Sequence, residues 1–272
     1  MKKILSLVLV FALMSCISTT VFAADIEANN GTATGDVKAS YVAGEPGGTV
    51  VSVDIEWKNL EFTYNGESHK VWNPESHSYE GVETPAGWAT SNASITITNH
   101  SNDFIHASLS YAKEAEYNEA NVVFSSSGVW VGNANTGEGV NGAGAAQNTI
   151  VKVVPTGSVP DSIENKQKIG TITVRINNAL KYFGGSVGSG TSIFDCVIAG
   201  ITSDATRLQN QKCDDASTLT HGSVYCTTTG IQNAFTAINR ADQTERQGTE
   251  HEKILACNAA IAALNAAYLI KQ

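Results

Sequence analysis

The sequence predicts a mainly β protein, an antiparallel immunoglobulin-like sandwich followed by a small disulfide-stapled α-helical module. Three observations predict it. Apolar and polar residues alternate through much of residues 24–177, the period of a strand buried on one face. From residue 193 the apolar spacing becomes three and four, the period of an amphipathic helix. Four of the five cysteines, Cys196, Cys213, Cys226 and Cys257, lie in that second part. An even count in an exported chain implies disulfides.

Export is read from the first 23 residues. MKK is a basic start, ILSLVLVFAL an apolar core, and Val21-Phe22-Ala23 a small-residue cleavage site before Ala24. The alternative is a lipid on Cys16, because Leu13-Met14-Ser15-Cys16 loosely follows a lipidation signal. The 272 residues carry 17 basic and 26 acidic side chains, a net charge of −9. An acidic chain without basic runs argues against nucleic acid or anionic membrane as partner. No later segment has the length and apolarity of a membrane span, since AAIAALNAAYLIKQ at the end is short and interrupted by Asn265.

The β domain is placed at residues 24–183. TVVSVDIEW turns Val51, Val53, Ile55 and Trp57 to one face and Ser52, Asp54 and Glu56 to the other. After a turn at Lys58-Asn59, LEFTY alternates Leu60, Phe62 and Tyr64 against Glu61 and Thr63. ASITITN, IHASLSY, NVVFS, GVWVG, TIVKVVP and IGTITVRI complete the strands. Asn65-Gly66, Asn73-Pro74, residues 99–102 and Pro155-Thr156-Gly157 supply turn chemistry between them. About eight short strands without intervening helices suggest a sandwich, with a small barrel as the alternative. Residues 125–148, rich in Gly and Asn, read as a hairpin tip or long surface loop, more filler than binding element, with Trp130 its one large aromatic.

GGSVGSGTS, residues 184–192, reads as a flexible linker to the module at 193–272. Ile193, Val197, Ile201, Ala205 and Leu208 mark a first helix. Ile231, Phe235, Ile238 and Ala241 mark a second. The third has the clearest start, because Thr249 and Glu252 have the spacing of a capping box. Its seam runs through Ile254, Cys257, Ile261, Leu264 and Tyr268. A module this small gains from covalent staples. The expected pairing is Cys196–Cys257 between the first and last helices, with Cys213–Cys226 closing the loop between.

The aromatics divide. Trp57, Phe62 and Tyr64 share the parity of the apolar strand residues and read as core. Trp72, Tyr79 and Trp88 lie in an irregular, proline-containing stretch. They are either caps on the sandwich edge or, with Asn73 and Glu75, a sugar-binding face, because sugar C–H faces stack on rings while hydroxyls take hydrogen bonds. No histidine motif or dense carboxylate cluster points to a metal site. Asp54 and Glu56 read as a solvated outer face. There is no Gly-x-Ser-x-Gly and no phosphate-cradling loop. No cofactor and no catalytic residue are therefore assigned, although sequence-distant acid pairs leave a secreted hydrolase as a minor alternative.

GDVKASY, SVDIEWKNLEFTY, WNPESHSYEG and ASITITNHSN, within residues 33–177, resemble a group of small secreted proteins of Gram-positive bacteria. The resemblance implies an immunoglobulin-like sandwich and no assigned activity, and it carries no functional residues. Residues 192–272 share no such likeness. The expected function is a secreted or cell-surface, non-enzymatic interaction or adhesion protein contacting a surface glycan or protein. The alternative is a carbohydrate-binding module using the exposed Trp and Tyr side chains.

Overall fold

The computed structural model describes residues 51–137, 144–160, 163, 166–182 and 191–272, with the backbone alone of Asp36–Lys38 and of residues 180 and 181. The expected signal peptide, Cys16 and most of the linker lie outside the described residues.

Two four-stranded sheets face one another. One has the order β1 (Asp36–Lys38), β12 (Gly170–Asn178), β8 (Ile105–Lys113), β10 (Gly128–Val131). The other has β2 (Val53–Lys58), β7 (Ser94–Asn99), β11 (Gln147–Gly157), β9 (Ala120–Phe124). All pairings within them are antiparallel except β1 with β12. Side chains of a strand alternate between faces, so each strand sends its apolar parity inward. Ile95 and Ile97, Ile105 and Ala107, Val151 and Val153 thus form one core with Ile172 and Val174. Trp57 packs against it from the edge strand β2.

LEFTY departs from the expected strand. Asn59, at φ 54°, turns the chain out of the ladder. Leu60 and Phe62 still pack on the core, but pairing resumes only at β3 (Tyr64–Asn65), which meets β6 (Gly87–Trp88). Between them lies a second ribbon, β4 (Val71–Asn73) against β5 (Ser78–Glu80).

Three long helices follow the short α1 (Ala179–Tyr182): α2 (Ile193–Gln209), α3 (Thr228–Gln247) and α4 (Glu250–Ala267). The Thr249/Glu252 capping box forms as expected. A second box, Ser192 with Asp195, starts α2, so the last linker residue already belongs to the helix cap. The loop before α3 adds β13 (Val224–Tyr225), which pairs with β14 (Leu269–Ile270) beyond α4.

The helices dock on the outer face of the β8–β10 sheet. Phe104, Trp130 and Ala179 belong to the same buried cluster as Val197, Ile201 and Leu264. Phe104 meets Phe194 edge-to-face at 6.0 Å between centroids. Strand β10 is a sheet edge, and two α4 asparagines take the place of a neighbouring strand. The Asn133 N–H donates to Asn258 Oδ1 at 2.8 Å, and Asn258 Nδ2 returns a bond to Asn133 O at 2.8 Å. Asn265 Nδ2 donates to Trp130 O at 2.8 Å. Asn133 lies two residues beyond β10, where the chain has left the ladder, so Asn258 satisfies the backbone just past the strand while Asn265, two helical turns on, reaches the Trp130 carbonyl on the strand itself.

This docking corrects the expectation for residues 125–148. Ser125, Ser126, Val129, Trp130, Val131 and Asn133 are buried and not surface loop. Residues 138–143 lie outside the described residues.

The expected disulfides are not formed, and all four cysteines are free thiols. Cys213 N–H does donate to Cys226 O at 2.8 Å, but the thiols diverge: Cys226 Sγ faces Leu208 O and Cys213 Sγ faces Asp215 O. Cys257 belongs to the helical core cluster, and Cys196 does not. Burial pushes the Cys257 thiol up to about 12, with Glu245 adding to the shift, and raises those of Cys196 and Cys226. Thiols held protonated are inert packing groups.

Candidate functional site

The β4–β5 ribbon projects from the sandwich as an arm. Its base is the Tyr64–Trp88 and Asn65–Gly87 pairs, continued by a bridge between Ser68 and Thr84. From residue 65 to residue 86 every side chain is exposed except that of Asn73. Nine residues of extended chain from the base to the tip span roughly 30 Å. Local chemistry shapes the tip: Asn73 Oδ1 accepts from the Glu75 N–H at 2.9 Å and the Ser76 N–H at 3.4 Å, an Asx turn. His77 at φ 51° and Gly81 at φ 98° provide the left-handed backbone that brings the chain back.

Trp72 and Tyr79 are directly paired across this ribbon, their rings edge-to-face at 5.2 Å. Trp72 is 48% exposed, Tyr79 67%, and Val71 and Val82 each 72%. The arm thus carries four of the seven exposed large hydrophobic side chains among the described residues. An isolated two-stranded ribbon is marginally stable in water. Grouped exposed rings and aliphatic side chains of this kind are a common feature of interaction surfaces.

Of the residues expected to share a sugar-binding face, Trp72 and Tyr79 come together. Trp88 does not join them. It packs edge-to-face on Tyr64 at 5.0 Å and on Phe62 at 6.4 Å, and its indole N–H donates to Gly157 O at 2.9 Å. It anchors the base of the arm to the sandwich. Asn73 uses its carbonyl to close the turn, and Glu75 is exposed at the tip.

A second cluster lies where the helices meet the sheet, and the sequence reading did not single it out. Strand β8 sends its even residues outward, yet His106 is only 5% exposed because helices cover that face. Its ring lies 4.1 Å from Tyr182 and 5.1 Å from Trp130, with Gly128 beneath leaving no room for a Cβ beyond 3.1 Å from Nε2. Arg207 pairs with Asp204 at 3.0 Å and reaches the Tyr268 hydroxyl at 3.5 Å. Burial, reinforced by the Arg207 charge, lowers the His106 pKa to about 4. Burial raises Asp204 against the opposing pull of Arg207 and the Trp130 indole. Ser108 Oγ stands 3.5 Å from His106 Nδ1, but a histidine so hard to protonate is a weak general base at neutral pH. The parity of His106 and Trp130 puts both on the outer face, but only their register as a cross-strand pair and the helices laid over them bring the cluster together.

Asp54 and Glu56 are exposed on the outer face of β2, where Asp54 pairs with His100 at 3.0 Å. Among the described residues no group of three or more His, Cys, Asp or Glu is arranged to hold a metal ion. No described helix is long and apolar enough to cross a membrane. No family model matches the chain, and no curated protein or solved structure is significantly similar to it.

Proposed function

We propose that this is an exported protein that works by contact and not by catalysis, and that it meets its partner through the arm of residues 66–84. The observation that carries the reading is the concentration of exposed apolar side chains there, Trp72 and Tyr79 above all. Aromatic residues of this kind dominate binding energy at protein contacts. The sandwich is the rigid base and the docked helices brace it on one side. An immunoglobulin-like sandwich and kinship with secreted Gram-positive proteins belong to the same proposal. So does an oxidised form with a Cys213–Cys226 disulfide, supported by the adjoining backbones and requiring both thiols to rotate; non-reducing peptide mapping that returns both as free thiols removes it.

A second reading has a specific observation in its favour. The paired rings of Trp72 and Tyr79 are accessible to a sugar face. With Trp88 committed to the base, a glycan would have two rings at 67° to each other and no flat platform. Binding of wild type and the Trp72→Ala/Tyr79→Ala variant to protein and glycan arrays separates the readings. Arm-dependent signal on protein features supports the first and on glycan features the second. Signal that the variant retains in full sinks both.

A further inference from the structure

We infer that the partner seated on the arm is a cationic polypeptide segment lying along the ribbon edge, its Lys or Arg side chains meeting the Trp72/Tyr79 rings on one face and the Glu80 carboxylate on the other. The inference rests on the contact reading given above and names the chemistry of the partner.

Charge is the first argument. Residues 66–84 carry Glu67, Glu75, Glu80 and Glu83 against one lysine, Lys70. The whole chain has a net charge of −9, so the field around the arm draws cations and repels a second copy of the same surface. The second argument is that one of these acids is held in place. Ser76 Oγ donates to Glu80 Oε1 at 2.6 Å. Glu80 lies directly across the ribbon from Val71, one residue along from the ring pair, so it charges the face opposite the rings, and a segment lying along the ribbon edge meets both faces. The Ser76 bond, with Asn73, keeps its pKa below the ordinary carboxylate range, so the charge persists in mildly acid surroundings. The third argument is the rings themselves. Exposed Trp and Tyr faces attract ammonium and guanidinium groups through the ring quadrupole. Val71, on the face of Glu80, and the exposed Val82 offer the methylene stems of Lys and Arg an aliphatic surface. Finally, the arm is a bare two-stranded ribbon with unpaired backbone along its edges, which an extended segment joins as a further strand.

The test is a tryptophan-fluorescence titration of the full chain with a short oligolysine peptide, which presents lysines to both faces of the ribbon, and with its oligoglutamate counterpart. The expected result is saturable binding of the lysine peptide only, weakened by added salt. Trp72→Ala is expected to weaken it about fivefold to tenfold, followed by intrinsic peptide label where the tryptophan is lost. Glu80→Gln is expected to weaken it about threefold. Glu56→Gln, on the outer face of the sandwich away from the arm, is expected to bind as wild type. Equal binding of both peptides, or equal loss in Glu56→Gln and Glu80→Gln, overturns the inference. Arm-dependent array signal on neutral proteins or on glycans, without lysine-peptide binding, overturns it while leaving the arm as the contact element. Concentration-dependent self-association lost in Trp72→Ala would assign the arm to a second copy instead.

Discussion

Asn258→Leu tests how the helices are held. The side chain is 8% exposed and makes two bonds of 2.8 Å to the backbone of Asn133. Leucine has the same branched skeleton of four side-chain heavy atoms, so the shape is largely kept while both bonds are lost. The Asn133 N–H and C=O then lie under α4 with no partner and no access to water. Each buried backbone group left unsatisfied costs about 1–3 kcal/mol, so the variant is expected to lose roughly 2–6 kcal/mol, a large part of a typical folding free energy. The assay is urea denaturation followed in parallel by circular dichroism, which reports the helices, and by tryptophan fluorescence, which reports the sandwich. In wild type the two probes are expected to coincide, because Trp130 and Phe104 share a core with the helices. In Asn258→Leu the helical transition moves to lower urea and separates from the other. A loss under about 0.5 kcal/mol with coincident transitions would refute the reasoning, since it would mean that the β10 edge does not depend on α4.

Other outcomes follow from single side chains. Trp88→Ala is expected to cost about 3 kcal/mol by removing a packed ring and its bond to Gly157 O, whereas Trp72→Ala stays within about 0.5 kcal/mol; thermal melts of the two, compared with wild type, check the contrast. Gly157→Ala is expected to lose about 2 kcal/mol or more, because φ is 74° and a Cβ would sit 1.9 Å from Glu119 O. Acid dependence separates two buried groups. The His106 pKa is lowered by burial to about 4, so its contribution is present above 6.5 and lost as pH falls toward 4. Asp103 is raised by burial to about 6, so it disfavours folding at neutral pH and ceases to as pH falls through 6 toward 3.8. The two effects oppose each other at about 3 kcal/mol apiece. His106→Gln is therefore expected to gain stability on acidification and Asp103→Asn to lose it, measured by urea denaturation across that range; parallel pH profiles in both variants would contradict the assignment.

The sandwich core was legible because apolar alternation marks its inner face, although helices cover part of the outer face of one sheet. Ile95, Ile97, Ile105, Ala107, Ile172 and Val174 fall where alternation puts them. The helices were legible from seam spacing and from Thr249 and Glu252. What escaped depends on contacts between distant segments. Trp130 in a Gly/Asn-rich stretch reads as loop until α4 is laid over it. Asn265 reads as a polar interruption of an alanine-rich helix and Asn258 attracts no notice, yet two turns apart on one face they satisfy backbone groups of Trp130 and Asn133. The cysteine arrangement was not legible for a related reason, since sequence spacing carries no information on which way each thiol turns. Within the candidate site, period and turn residues did not distinguish Trp72 from Trp88. The difference lies in register: Trp88 pairs with Tyr64 beside the core, and Trp72 pairs with Tyr79 beyond the last buried residue.

The central claim, that the arm is the contact element and not part of the fold, is tested most directly by excising it. Residues 67–86 are removed, so that Gly66 joins Gly87 and the Tyr64–Trp88 base closes through a tight turn. The shortened chain and wild type are then compared on the same protein and glycan arrays and in the same thermal melt. The account predicts an unchanged melting transition with the array signal gone. A shortened chain that keeps its array signal, or one that no longer folds, would contradict it.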